Sequence, residues 1–189
     1  MSALFIALIH HPVLDRRGHI VTSAITSLDI HDLARSARTF GVSRFFVIHP
    51  IAEQREFANR VVSHWFGDHG RQHDSRRQDA LKLVKVVDSL DQAILDIESE
   101  TACKPRIGST SARVEGTIGY EQLRSELFGP ADNNQAPVLL LFGTGFGLSE
   151  ELLARAAFVL PAIKGNTAYN HLSVRGAASI ILDRLCGQR

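Results

Sequence analysis

Three short segments carry residue types suited to gripping a small charged ligand: Ile107 to Arg113, Gly143 to Gly147, and Asn170 to Ser173. The first, Ile-Gly-Ser-Thr-Ser-Ala-Arg, sets three hydroxyls beside Arg113, whose planar guanidinium matches a phosphate or carboxylate. The second, Gly-Thr-Gly-Phe-Gly, has glycine at every other position, so its backbone is free to take positive φ and to turn N–H and C=O groups toward a ligand. The third brings an amide, an imidazole and a hydroxyl to the head of a helical pattern. Arg35, on the polar side of an earlier helix, is a second candidate anion holder. Each feature has an ordinary alternative: the glycine run as a tight strand-to-helix turn, either arginine as a solvated surface residue.

The glycine spacing argues against two common phosphate sites. A dinucleotide fingerprint needs its third glycine three residues after the second and an acidic residue closing the next strand, where this chain has Leu160-Pro161-Ala162. A phosphate loop needs Gly-Lys-Ser/Thr, which does not follow. A flavin or nicotinamide enzyme is therefore disfavoured. His64, His69 and His73 lack the spacing of a structural metal site, and no cysteines or carboxylates converge on them, so no metal is expected. His10-His11-Pro12 ends the first apolar run, with a packed or capping role expected for both histidines. Basic residues gather between Arg55 and Lys85 among Trp65, Phe66 and several acids, a pattern that fits either an RNA-facing edge or an ordinary solvated face.

Six apolar runs of strand length must position these segments: Leu4 to Ile9, Arg44 to Ile48, Leu83 to Val87, Pro105 to Gly108, Val138 to Phe142 and Ala157 to Leu160. Helical patterns separate most of them, so the expected fold class is α/β, a mainly parallel sheet with helices on both faces. One helix follows Ser27, with Asp29 as its expected cap, Ile30, Leu33, Ala34, Ala37 and Phe40 at helical spacing, and Gly41 as its stop. Others are read over Glu53 to Phe66, with Ala58, Val61, Val62 and Trp65 as a buried stripe, and over Leu90 to about Glu100. The last helix is capped by Ser173 and ended by Gly187, and its Gly176-Ala177-Ala178 segment suits close approach of another backbone. Gly67 to Gln78 and Gly129 to Gln135 read as surface loops.

With 189 residues, 44% hydrophobic and 22% charged, the chain suits a single domain spanning 1–189. A net charge of +1 neither demands nor excludes nucleic acid, because phosphate binding needs a local basic patch. Cys103 and Cys186 have no paired-spacing pattern and read as reduced thiols, and Leu4 to Ile9 is too short to span a bilayer, so a cytoplasmic protein without membrane attachment is expected.

In order, Asp29 to Gly41 with Arg35, Gly108 to Arg113, Phe142 to Glu151 and Tyr169 to Ala178 resemble the successive motifs of SpoU-like RNA methyltransferases of the SPOUT superfamily, over nearly the whole chain. The resemblance implies a C-terminal trefoil knot, S-adenosylmethionine as cofactor, a homodimer and an RNA substrate, tRNA or rRNA, methylated on a ribose 2′-hydroxyl or a base nitrogen. Carried across, it implies that Thr110, Ser111, Phe142, Gly143, Gly147, Ile163, Leu172 and Ser173 contact the cofactor. It also implies that Arg35 and Arg113 position the target while Asn170, His171 and Ser173 line the reacting centre. Two positions depart from the pattern. Thr144 and Gly145 stand where many relatives carry glutamate, and His171 stands where asparagine is usual, with Asn170 one residue earlier. The missing glutamate leaves a catalytically inactive knotted binder of RNA or cofactor as the alternative.

Overall fold

A computed structural model describes residues 2–67, 75–113, 115–129 and 136–188. Among them, β1 (Leu4–Ile9), β4 (Arg44–Ile48), β5 (Val84–Val87), β6 (Arg106–Thr110), β7 (Val138–Gly143) and β8 (Phe158–Leu160) form one sheet. Its order is β5-β4-β1-β7-β6-β8, with every pair parallel. Parallel neighbours require crossovers, and these are supplied by α1 (Ser27–Thr39), α2 (Ala52–His64), α3 (Ser75–Leu81), α4 (Leu90–Thr101), α5 (Tyr120–Phe128), α6 (Glu150–Ala154) and α7 (Val174–Cys186).

Side chains alternate along β1, which is buried throughout, and this alternation separates two cores. Leu4, Ile6 and Leu8 join Ile30, Leu33 and Ala37 of α1, Leu123 of α5 and Leu182 of α7 on one face. Phe5, Ala7 and Ile9 join Ala93 and Ile97 of α4 and Leu152 of α6 on the other. Each fully buried Leu, Ile or Phe contributes about 1.5–3 kcal/mol, so helices on both faces are held chiefly by apolar burial.

Several elements differ from the sequence expectation. The cap of α1 is Thr26, not Asp29: the Thr26 hydroxyl oxygen accepts the Asp29 N–H at 3.2 Å and its O–H donates to the Asp29 carboxylate at 2.7 Å, a reciprocal cap that starts the helix three residues earlier. The β6 strand runs on to Thr110, because Ser109 and Thr110 still pair with β8. The expected loop from Gly67 to Gln78 gives way at Ser75 to α3, whose Ala80 and Leu81 are buried, and α5 lies in a stretch for which no helix was expected. Of the α2 stripe only Ala58 is fully buried; Val61, Val62 and Trp65 pack at the core margin. Gly176 meets no foreign backbone, since the nearest atom to an added Cβ is Ser173 Oγ at 3.4 Å.

A small hairpin, β2 (Val13–Leu14) and β3 (Ile20–Val21), follows β1 and had no counterpart in the sequence reading. It lies against the glycine loop after β7: Leu14 N–H donates to Gly147 O, Phe146 N–H donates to Leu14 O, both at 2.9 Å, and Val13 bridges Leu148.

Candidate functional site

Parallel strands all end on one side of their sheet, and the loops that leave β6, β7 and β8 there enclose a cleft of about 1030 Å³. That volume lies at the upper end of small-ligand sites, enough for a cofactor and part of an incoming substrate. Thr110, Ser111 and Arg113 come from the β6 end, Phe142, Gly143 and Gly147 from the β7 end, and Ile163 from the segment after β8. Asn170, His171, Leu172 and Ser173 close the cleft at the head of α7. Eleven of the twelve residues singled out in the sequence therefore share one wall-to-wall space. The exception is Arg35.

Arg35 lies instead in a separate depression of about 400 Å³ between α1 and α7, with Asp32, Arg175 and Ser179. The helix phase explains this: Asp29 at the start of α1 lines the cleft, and six residues further on the side chain has turned by about 240°. Within one chain Arg35 and Arg113 thus do not face a common ligand, contrary to the pairing expected from sequence.

The glycine loop is shaped by its lack of side chains. Gly145 and Gly147 have φ of +58° and +109°, conformations that other residues adopt only under strain. A Cβ on Gly143 would stand 2.8 Å from the Leu148 nitrogen. Nothing lies within 4 Å of where a Gly147 Cβ would be, although its main-chain N–H and C=O are bonded to Thr144 and Leu14. Much of the wall is therefore backbone and small side chains, with Arg113 as a cation at the rim. Arg113 stacks over Phe146, its guanidinium carbon 5.7 Å from the ring centre.

Several hydroxyls are already committed. Thr110 donates to Leu141 O at 2.9 Å, tying β6 to β7, and Ser111 Oγ accepts the Arg113 N–H at 3.1 Å. Ser173 Oγ accepts the Gly176 N–H at 3.2 Å as the cap of α7, which leaves its own proton to donate. His171 touches Tyr169 edge to face.

Beneath the cleft runs a chain of polar bonds that the sequence did not disclose. Thr144 Oγ1 donates to Ile9 O at 3.1 Å, so the 2.5 Å contact between Ser23 and Thr144 must use the Ser23 proton. His10 Nδ1, 3.0 Å from Ser23 Oγ, is then the donor. His10 Nε2 is buried without a partner. His49 Nδ1 accepts the Ile51 N–H, which leaves Nε2–H to donate to Ser23 O at 3.0 Å. Burial lowers the His10 pKa to about 4, reinforced by the neighbouring His49, and desolvation lowers His49 as well. Thr144, in the place of the glutamate that related motifs carry, is thus turned inward onto this network. Ser23, Asp29 and Arg16 also line the cleft, and none of them was singled out as a site residue in the sequence. Asp29 is engaged by Arg175 at 2.7 Å, which fastens the start of α1 to that of α7.

The basic stretch behaves mostly as a solvated structural face. Arg55 donates to the His49 and Pro50 carbonyls, Arg77 stacks over Trp65, and Lys82 and Lys85 pair with Asp79 and Asp96. Arg71, His69 and His73 lie outside the described residues. Among the described residues no three His, Cys, Asp or Glu side chains converge, and no helix is long and apolar enough to cross a membrane.

Residues 3–187 match the family of SAM-dependent RNA methyltransferases. The chain is 40% identical over 184 residues to a tRNA (guanine-N(1)-)-methyltransferase of Oleidesulfovibrio alaskensis, covering 97% of this chain but 42% of that relative. It therefore spans about two fifths of that protein. An uncharacterised protein of Aquifex aeolicus is 37% identical over 183 residues, covering 96% of this chain and 87% of its own. The solved SpoU methyltransferase AviRb of Streptomyces viridochromogenes, in complex with AdoMet, superposes with a TM-score of 0.56 at 16% identity, over 98% of this chain and 57% of that one, a shared fold.

Proposed function

Given that this chain belongs to the SAM-dependent RNA methyltransferase family, we propose that it transfers a methyl group to tRNA, with rRNA as the second candidate. The observation that carries the reading is the convergence of the three loops on one cleft with a main-chain wall and a cationic rim. The name of the 40% identical relative favours tRNA, and a guanine base nitrogen over a ribose hydroxyl.

The bound cofactor supplies an electrophilic methyl group. Phe142, Gly143, Gly147, Ile163 and Leu172 hold it by main-chain and apolar contacts, and Thr110 and Ser111 fix the first loop. Arg113 holds an anionic group of the RNA, and Asn170 with the Ser173 O–H orients the acceptor. His171 takes the proton that the acceptor loses, the one imidazole on the cleft wall among the described residues. Holding acceptor and methyl in line contributes much of the acceleration. Arg35 acts on the target nucleotide of a second copy, since it lies off its own cleft; a homodimer joined near α1 and α7 would supply it. The trefoil knot belongs to the same proposal, supported by the β7-β6-β8 order and by Gly116, whose Cβ would sit 2.6 Å from Pro161 N where the two segments cross. One domain over 1–189 and action in the cytoplasm, where tRNA is found, complete it.

Methyl transfer from labelled cofactor to unfractionated tRNA and rRNA, followed by mass spectrometry of the product nucleoside, tests the reading. His171→Ala is expected to lower kcat by about 10²–10⁴ with little change in cofactor affinity, and Arg35→Ala to lower turnover without loss of cofactor binding. Cofactor binding with no turnover on either RNA would favour the inactive binder, to which the inward-turned Thr144 points.

A further inference from the structure

We propose that the β2–β3 hairpin is an RNA-binding arm whose tip arginines, Arg16 and Arg17, take backbone phosphates of the substrate and hold the strand over the mouth of the cleft. The inference rests on the RNA methyltransferase reading and assigns that substrate a contact that no motif identifies.

The hairpin tip is built to present those two side chains. Asp15 organises the turn: its Oδ1 accepts the N–H of Arg17 at 2.7 Å and of His19 at 2.9 Å, while Gly18, at φ +83°, closes the bend. The only acid in the turn is thus spent on backbone groups and on His19, whose Nδ1 is 3.3 Å from Oδ2. Arg16 and Arg17 are exposed, and neither pairs with a carboxylate among the described residues. Arg16 reaches the cleft wall, whereas Arg17 does not line it, so the pair serves a ligand that extends beyond the cleft. Arg113 stands on the β6 loop of the same cleft, and Lys164 is exposed on the loop after β8. In a chain of net charge +1, this is a local concentration of cations at the one place where a polyanion must enter.

The base of the hairpin is fixed as well. Besides the two bonds between Leu14 and the glycine loop, Ser149 N–H donates to Pro12 O at 3.3 Å. The arm is preformed, so little conformational freedom is lost when RNA binds. A lone carboxylate on the cofactor could be met by one guanidinium; two exposed ones, one outside the cleft, match successive phosphates.

The test compares the parent protein with Arg16→Ala/Arg17→Ala and Arg16→Lys/Arg17→Lys double variants. Affinity for unfractionated tRNA is measured by fluorescence anisotropy over a salt series, and S-adenosylmethionine affinity by calorimetry. For the alanine pair, tRNA affinity should fall about tenfold or more, and the slope of log K against log salt should become shallower by about 1.5, two phosphate contacts' worth. Cofactor affinity should stay at the parental value, and the lysine pair should keep the parental slope. Parental tRNA affinity and slope in the alanine pair would overturn the arm, as would loss of cofactor binding with RNA binding intact. If the parent itself binds neither tRNA nor rRNA, the methyltransferase reading falls and the arm with it; if the parent binds and methylates while the alanine pair matches it, the arm alone falls.

Discussion

His10 shows how much a single buried side chain can decide. It sits at the carboxyl end of β1, fully enclosed, donating from Nδ1 to Ser23 and leaving Nε2 with no partner, so a second proton would have no acceptor to meet. Its native pKa of about 4 lies below the 6.5 of an unfolded histidine. Above pH 6.5 both states are neutral and this group costs nothing; as pH falls from 6.5 toward 4, only the unfolded chain takes up the proton, and stability is lost. Over that window the loss approaches about 3 kcal/mol for His10 alone, and His49, lowered by burial too, adds in the same direction. Thermal unfolding followed between pH 7 and pH 4 should show a falling Tm, and His10→Asn, which keeps a donor for Ser23 but does not titrate, should flatten the curve. Parallel curves for the two proteins would contradict this account. Neither bond was legible in the sequence: His10 and Ser23 are thirteen residues apart, and Thr144 is a further 121. Only the sheet, which sets β1 beside β7, brings them into contact.

At the scale of elements, the parts with strong local signals were legible and those made by tertiary contact were not. The α7 helix runs from its Ser173 cap to Gly187 as read, because both ends are encoded by residues that act within a turn of themselves. The β1, β4 and β7 strands were visible as apolar runs because both of their faces are covered. The hairpin at residues 13–21 is only two residues deep on each side and is stabilised by the distant glycine loop, so no periodic pattern marks it. The short α3 and α5 helices bury two residues each and escape notice for the same reason. The glycine loop itself makes a sharp prediction. In Gly143→Ala the new methyl would press on the Leu148 nitrogen, and neither strand β7 nor the hairpin-bound segment that follows can yield without displacing the other. The expected cost is about 1–3 kcal/mol of stability, with cofactor affinity down tenfold or more by calorimetry. Unchanged affinity would mean that this loop does not form the cofactor wall.

On the scale of the molecule, the six-stranded parallel sheet works as a frame that brings residues from the first and last fifths of the chain to one edge. The residues that line the cleft were legible where glycines and small hydroxyl residues follow apolar runs, because these leave a mark in sequence. Arg35 shows the limit: its place in a motif was readable, but its direction depends on helix phase and, in the proposed homodimer, on a second chain. The family match over residues 3–187 covers the sheet and all three loops together, so the fold and the cleft stand as one unit. The most direct measurement is a crystal structure of the protein with S-adenosylhomocysteine. The account predicts the ligand curled between Thr110–Arg113, Phe142–Gly147 and Ile163–Ser173, its sulfur turned toward His171; a ligand bound against any other surface, or lying extended across the sheet edge, would contradict it.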